Sequence, residues 1–346
     1  SLGSRAGIVR RFPFGPVLGI SPFNFPVNLV AHKIAPALAV GAPIVVKPAG
    51  ATPLGALALA ELFDETDLPK GMFSVIPISG ERAEKLIADH RFKKFSFTGS
   101  GIGWRLKGID PRKYVTLELG GNAGVIVHSD ADLDHAAQRV SIGGYYQAGQ
   151  SCIAVQRVFV QSEVFEDFVA RLVKQVESLK VGDPLDPTVD VGPVIDRGAL
   201  DRIDEWVKEA VDGGARVLTG GKRDDPFYRP TVLTDTKPDM KVCRQEVFGP
   251  VITVERYQTF DQALDMVNDS DYGLQAGVFT SNIERALRAH RDLEVGGVIV
   301  NDTSAFRADQ MPYGGWKDSG YGREGLRSAM DEMTEPRIMV LSNVPL

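Results

Sequence analysis

Between residues 17 and 118, short apolar β-rich runs alternate with longer runs of helical spacing. Residues 17–20, 44–47, 73–76, 94–98 and 114–117 read as strands, and residues 27–40, 54–63, 81–90 and 104–107 as helices between them. That alternation predicts a mainly parallel sheet with helices on both faces. The ligand cleft of such a sheet lies at the carboxyl ends of its strands. Asn24, Lys47, Gly99 and Glu118 all stand at or just past the ends of these runs, so the pattern alone gathers them at one rim.

A second α/β region begins near Gly121. Residues 163–179 form an amphipathic helix with Phe165, Phe168, Val169, Leu172, Val173, Val176 and Leu179 on one stripe. Leu200, Ile203, Trp206, Val207 and Ala210 repeat the spacing, after the loop Gly182-Asp183-Pro184-Leu185-Asp186-Pro187. Alternation continues through residues 251–255, 260–267, 276–279 and 298–301. The apolar tail Ile338-Met339-Val340-Leu341 predicts a strand that pairs with residues 7–12 or makes a subunit contact.

Composition narrows the function. At 346 residues, 43% hydrophobic and 24% charged, the chain is long enough for two domains with real cores. A net charge of -6 gives no electrostatic reason to bind nucleic acid or an anionic membrane. Small-molecule chemistry is the expectation. The two cysteines, Cys152 and Cys243, are too few for a disulfide framework and fit a reducing compartment, with cytoplasm the default. The longest apolar stretch, residues 34–46, is broken by Pro36, Gly41 and Pro43 and is too short to span a bilayer. The opening Ser1-Leu2-Gly3-Ser4-Arg5 has neither a signal core nor an initiator methionine, which suggests a piece of something longer.

Candidate chemistry centres on Gly149-Gln150-Ser151-Cys152, where a tight turn can present a thiol to a cleft. A thiol with a pKa near about 8.5 is mostly protonated at neutral pH, so a nucleophile there needs a field or a base. Against this stands the commoner fate of a cysteine, a small buried hydrophobe, which is the reading for Cys243. Glu118 ends a strand just before Leu119-Gly120-Gly121 and offers a carboxylate to a ligand, although taken alone it reads rather as a capping or salt-bridged surface glutamate. Asn24, between Pro22 and Pro26, offers an amide donor for an oxyanion or an ordinary turn hydrogen bond. Lys47 puts a cation at a strand end. Phe97-Thr98-Gly99-Ser100-Gly101-Ile102-Gly103 is a near miss to the dinucleotide fingerprint, on which Glu118, about twenty residues further on, would be the ribose ligand. The 5 histidines show no metal-ligand spacing.

Taken together, Ser21-Pro22-Phe23-Asn24-Phe25-Pro26, Lys47-Pro48-Ala49, Phe97-Thr98-Gly99-Ser100, Leu117-Glu118-Leu119-Gly120-Gly121, Gly149-Gln150-Ser151-Cys152, Glu246-Val247-Phe248-Gly249-Pro250 and Pro312-Tyr313-Gly314-Gly315 resemble the signatures of the aldehyde dehydrogenase superfamily, in order over nearly the whole chain. The resemblance implies an α/β fold with a Rossmann-type cofactor domain at residues 13–120 and a catalytic α/β domain at 121–320. It implies oligomerisation segments at 1–12 and 321–346. The activity implied is oxidation of an aldehyde to an acid with NAD or NADP, through a cysteine thiohemiacetal and thioester, in a homodimer or homotetramer.

Residue by residue, the resemblance implies Cys152 as nucleophile, Glu118 as general base, Asn24 with the Cys152 amide as oxyanion hole, and Lys33 as a proton-relay lysine. Cofactor contacts are implied at Ile20, Ser21, Pro22, Phe23, Lys47, Gly50, Gly80, Gly99, Ser100, Leu119, Gly120, Glu246 and Phe248. A substrate tunnel is implied at Phe25, Asn28, His32, Tyr146, Ile153 and Phe306, and Arg307 is either a receptor for an anionic group or a member of a structural salt bridge. No metal is implied.

The chain departs from the family pattern in four places. The matching region begins almost at once, without the usual N-terminal segment, so an impaired or non-catalytic fragment is one rival reading. Gly50 stands where NAD-preferring relatives resemble one another in carrying glutamate, which leaves NADP open. Residues 75–81 have fewer glycines than the usual phosphate-side loop, and Gly101-Ile102-Gly103 is one residue short before its helix. A thiol esterase paired with His32 is the other rival, and acyl transfer to coenzyme A is the alternative to water within the family.

Overall fold

The computed structural model describes residues 5–342. The chain folds into two compact units, the first made of residues 1–118, 309–313 and 321–346 and the second of residues 119–308 and 314–320.

In the first unit the strands Tyr114–Glu118, Lys94–Thr98, Val17–Ile20, Ile44–Lys47 and Phe73–Val75 lie side by side in that order, each parallel to the next. The helices Asn28–Ala39, Leu54–Asp64, Gly80–Ala88 and Ile102–Lys107 return the chain between them. Strand order reverses between Val17–Ile20 and Lys94–Thr98, the switch point at which an open α/β sheet leaves a crevice beyond its carboxyl ends. Ser21 and Gly99 follow those two strands directly. Near-continuous apolar sequence is what burial on both faces demands: Val17, Leu18, Ile44, Val46 and Phe95 are all inaccessible to solvent.

The expected tail strand is present as Thr334–Ser342. It pairs antiparallel with Arg5–Pro13, matching Ile8 to Met339 and Gly7 to Val340. Ile8, Val9, Ile338, Met339 and Val340 leave its faces exposed.

The second unit holds a 7-stranded sheet in the order Gly297–Val300, Gln275–Phe279, Ala123–Val127, Val155–Gln161, Val251–Tyr257, Thr231–Thr234 and Arg216–Thr219. All neighbours run parallel except the last pair. The helix Phe165–Glu177 buries Phe165, Phe168, Val169, Leu172 and Val176, the predicted stripe, and carries Glu166 and Asp167 in its first turn, where the helix dipole favours acid. Residues 260–267 of the alternation are a helix, Phe260–Asn268, capped by Thr259 accepting from Gln262. The final run forms the strand Gly297–Val300 and stops before Asn301, whose positive φ of 55° ends the extended backbone.

Candidate active site

Cys152 follows a backbone that few sequences adopt. The helix Leu133–Tyr145 gives way to Gln147, Ala148 and Gly149 at φ of 53°, 54° and 70°. A non-glycine residue in this left-handed region costs on the order of 1 kcal/mol or more, so the surroundings must impose it. Gln150 does part of this work: its Nε2 donates to the Gln147 carbonyl at 3.1 Å and its Oε1 accepts from the Ile195 amide at 2.8 Å. Tyr146 donates its hydroxyl to Ser151 Oγ at 2.5 Å.

Close approach of backbones completes the turn. A Cβ on Gly149 would lie 2.1 Å from the Gly249 carbonyl oxygen, and one on Gly121 would lie 2.2 Å from the Cys152 carbonyl oxygen. A Cβ on Gly120 would strike the Glu246 carboxylate at 2.5 Å. The three motifs at 119–121, 149–152 and 246–250 therefore touch one another through glycines, leaving Cys152 half-buried.

Glu246 Oε1 accepts the Gly121 amide at 2.9 Å. Burial pushes its carboxyl up to about 7, with the Gly121 N–H and the Arg202 charge pulling the other way. Phe248 has a φ of 48°, another left-handed residue in the same motif. Of the tunnel residues in this unit, Ile153 and Phe306 are each held through a backbone carbonyl. Ser304 donates to the Ile153 carbonyl at 2.9 Å, while Gln275 Nε2 donates to the Ser304 and Phe306 carbonyls at 2.6 and 2.9 Å. Arg307, half-buried, follows Phe306 in that loop.

The remaining candidates belong to the first unit. Asn24 and Glu118 are buried, at 5% and 2% exposure. The Glu118 carbonyl accepts from the Gly99 amide at 2.9 Å, and Glu118 stands in register with Thr98 on the neighbouring strand. The Ser21 amide donates to the Lys47 carbonyl at 3.2 Å, which ties the Pro22-Phe23-Asn24 segment to the next strand end. Ile20 is buried, Pro22, Phe23 and Phe25 are half-buried, and Asn28 is exposed at the start of its helix. Desolvation holds the half-buried Lys47 ammonium below the ordinary lysine value.

Glycine spacing also tests the dinucleotide reading. Gly50, Gly80 and Gly101 have nothing within 4 Å of an added Cβ, whereas a Cβ on Gly99 would meet the Phe97 ring at 2.7 Å. Gly80 opens the helix Gly80–Ala88, whose cap Ser79 accepts from the Arg82 amide at 3.3 Å, and Ser100 precedes the helix Ile102–Lys107. Open backbone past the carboxyl ends of several parallel strands fits a phosphate-bearing dinucleotide.

Lys33 is the most enclosed candidate. Its ammonium donates to Ser96 Oγ at 3.1 Å, Thr98 Oγ1 at 2.7 Å and Glu324 Oε1 at 3.3 Å, using all three protons. Glu324 escaped the sequence reading because it lies 291 residues away. The only local signal was its place in the glycine-rich segment at 320–325. His32 contacts Asp309, at 3.3 Å, and Glu324, at 3.9 Å. Cys243 donates its thiol to Thr236 Oγ1 at 3.2 Å, and burial pushes its pKa up, as suits a packing cysteine. Among the described residues no group of His, Cys, Asp and Glu is arranged to hold a metal, and no helix is long and apolar enough to cross a membrane.

A doubly wound sheet with open glycines past its strand ends in one unit, and a cysteine displayed on a left-handed turn in the other, are the parts of a dinucleotide-dependent dehydrogenase of the thiol type. The aldehyde dehydrogenase family profile matches residues 3–339, and the chain belongs to that family, whose members oxidise aldehydes to acids with NAD or NADP. Among its relatives is the 3-sulfolactaldehyde dehydrogenase of Priestia aryabhattai, 49% identical over 341 residues, a match covering 98% of this chain and 72% of that one. Aldehyde dehydrogenase 21 of Physcomitrella patens, solved with the reaction product succinate, superposes with a TM-score of 0.96 at 47% identity, covering 98% of this chain and 71% of that one. Glyceraldehyde-3-phosphate dehydrogenase GapN of Methanocaldococcus jannaschii, solved with NADP, gives a TM-score of 0.94 at 38% identity, covering 98% and 75%.

Proposed function

We propose that this aldehyde dehydrogenase acts on short aldehydes carrying an anionic group, with Cys152 as nucleophile and Glu118 as general base. The observation that carries the reading is the Cys152 turn, held between the Gly121 and Gly249 backbones at distances that exclude any side chain. Fixing a nucleophile on such a backbone converts its attack into an oriented, low-entropy step. The thiolate adds to the aldehyde carbon, and the Asn24 amide and the Cys152 N–H stabilise the resulting oxyanion. Bound nicotinamide supplies the hydride acceptor. Glu118 then takes a proton from water as that water attacks the thioester, freeing the acid and the thiol.

Lys47 would hold the adenosine ribose, Gly99 and Ser100 the pyrophosphate, and Glu246 with Phe248 the nicotinamide ribose and ring. The remaining cofactor contacts fall to Ile20, Ser21, Pro22, Phe23, Gly50, Gly80, Leu119 and Gly120, and the substrate wall to Phe25, Asn28, His32, Tyr146, Ile153 and Phe306. Support for an anionic substrate comes from Arg307, next to Phe306 in the pinned loop, and from relatives that handle 3-sulfolactaldehyde or succinate. The exposed apolar pair Arg5–Pro13 and Thr334–Ser342 supports a homo-oligomer, dimer or tetramer, and two unbridged cysteines support a cytoplasmic setting.

A panel of 3-sulfolactaldehyde, 4-oxobutanoate and propanal, each with NAD and with NADP, tests the proposal through the appearance of reduced nicotinamide. The two anionic aldehydes are expected to exceed propanal in kcat/KM, and Arg307→Ala is expected to erase that preference. Turnover surviving in Cys152→Ser, or propanal preferred by the parent enzyme, would overturn it.

A further inference from the structure

In the second unit the chain doubles back on the sheet just past its edge strand. The strand Gly297–Val300 runs parallel to Gln275–Phe279, with Gln275 in register with Gly297. After Asn301, whose left-handed φ ends the strand, residues 302–306 return over the face of Gln275–Phe279. Positions 275 and 277 share that face. At 277 the residue is glycine, and a Cβ there would lie 2.8 Å from the Asp302 carbonyl oxygen and 3.0 Å from the Thr303 Cα. Backbone therefore lies directly on backbone. Gln275, two residues earlier, reaches further along the same segment: its Nε2 donates to the Ser304 carbonyl at 2.6 Å and to the Phe306 carbonyl at 2.9 Å, using both amide protons.

This clamp is not built for stability. Gln275 is 2% exposed, and its Oε1 accepts no hydrogen bond among the described residues. A buried amide oxygen left unpaired is destabilising, and an apolar side chain of the same length would avoid that loss. A Cβ on Gly297 would sit 2.8 Å from the same Oε1, so the neighbouring strand leaves room for the amide only because it carries glycine there. What Nε2 holds is a buried base under an accessible tip: Thr303 and Ser304 are inaccessible to solvent, Phe306 is exposed and Arg307 half-buried. The base is also tied to the elements that carry the nucleophile. Asp302 accepts two hydrogen bonds from Arg139, at 2.7 and 3.0 Å, and a Cβ on Gly143 would lie 2.5 Å from Thr303 Oγ1. Arg139 and Gly143 belong to the helix Leu133–Tyr145, which leads into the Cys152 turn. Ser304 Oγ donates to the carbonyl of Ile153, the neighbour of Cys152, at 2.9 Å.

We propose that Gln275 is a positioning residue for substrate choice: by holding the Ser304 and Phe306 carbonyls it sets where Arg307 stands relative to the Cys152 turn, and so where an aldehyde's anionic group is received. This rests on the reading of Arg307 as the receptor for that group. An aldehyde with an anionic end must be placed at both ends at once before its carbonyl carbon meets the thiol. The Cys152 backbone fixes one end. A guanidinium carried on a loop that moved would have to be ordered each time substrate bound, and that ordering weakens binding. The clamp orders the loop beforehand. A neutral aldehyde makes no ion pair with Arg307, so its binding does not depend on where the loop stands. The preference for anionic substrates is therefore set two steps away from the substrate, by a side chain that never touches it.

The test is a ratio of kcat/KM values: that for 3-sulfolactaldehyde or 4-oxobutanoate, whichever the parent enzyme oxidises faster, over that for propanal. Gln275→Met keeps the length of the side chain and removes both donors. The ratio is expected to fall about tenfold, the scale of two ordinary hydrogen bonds lost, through a raised KM for the anionic aldehyde. Gly297→Ala leaves Gln275 in the sequence and pushes its amide aside, so it should move the ratio the same way, and it carries the test alone should urea unfolding show Gln275→Met to be poorly folded. Added to Arg307→Ala, Gln275→Met should change the ratio no further, because the clamp acts through that arginine. A parental ratio in either folded variant, an equal loss on propanal, or a further fall in the Arg307→Ala background would each overturn the proposal. The reading beneath it fails separately: if Arg307→Ala alone keeps the parental ratio, Arg307 is not the receptor, whatever Gln275 does.

Discussion

The turn around Cys152 and the cluster around Lys33 are built on opposite principles. At the first, position comes from backbone packed on backbone, with glycines at 121 and 149 where a single Cβ would lie 2.2 and 2.1 Å from a carbonyl oxygen. At the second, position comes from charge enclosed by hydroxyls and a carboxylate, at distances of 2.7 to 3.3 Å. The first should be intolerant of volume and indifferent to charge. The second should be intolerant of lost charge and more forgiving of shape.

Breaking the comparison at its strongest point means adding one methyl group. Gly149→Ala puts a side chain on a φ of 70° and into the Gly249 carbonyl, so a stability loss above about 4 kcal/mol, in the exceptional range for a point change, is expected in urea unfolding, with turnover abolished. A merely slower enzyme of parental stability would show that the turn yields. For the second region, Lys33→Met removes the ammonium from the buried Glu324 carboxylate and should cost about 3 kcal/mol, whereas Lys33→Met with Glu324→Gln should recover most of that, because the buried charge rather than the lost pair dominates. A double mutant no better than the single would place the cost in packing instead.

Glu246 belongs to the backbone-built region yet carries a perturbed charge, and pH sharpens its case. Its carboxyl sits at about 7 in the folded chain against a reference of 4.5. The folded state therefore holds the proton more tightly, so stability falls as pH rises from about 4.5 through 7. Glu246→Gln should remove that decline, on the order of 2 kcal/mol after allowance for residual solvent exposure. Urea midpoints at pH 5 and 8 read it directly, and an equally steep decline in the variant would contradict the assignment. The smallest effect is expected at Gly50, which has open space where a Cβ would stand. Gly50→Glu should fold as well as the parent and shift the ratio of kcat/KM toward NAD by about tenfold, the scale of one added charge opposite a phosphate in a wet cleft; an unchanged ratio would remove this position from cofactor choice.

These two building principles also explain what was legible in the sequence. Parallel strands buried on both faces must be apolar along their length, so the runs at 17–20, 44–47 and 94–98 announced themselves, and the amphipathic stripe of Phe165–Glu177 did the same. Glycines that admit a second backbone are local letters, which is why the motifs around Gly121, Gly149 and Gly249 could be read. What they touch could not be read, because contact between 121 and 152, or 149 and 249, is a property of the folded chain. The left-handed Gln147 and Ala148 were hidden for a different reason: neither residue type favours that region, and tertiary packing overrides propensity there. Glu324 and Asp309 were invisible as partners of Lys33 and His32, since charge pairing across the length of the chain leaves no periodic trace.

The central claim, that Cys152 carries the substrate as a thioester resolved by Glu118, is tested most directly by intact-protein and peptide mass spectrometry. Glu118→Gln would be mixed with nicotinamide cofactor and the preferred aldehyde, then quenched in acid. The account predicts a stoichiometric acyl adduct on the peptide containing Cys152, absent from Cys152→Ser and fleeting in the parent enzyme. An adduct on Cys243 or any other residue, or none at all while reduced nicotinamide accumulates, would contradict it.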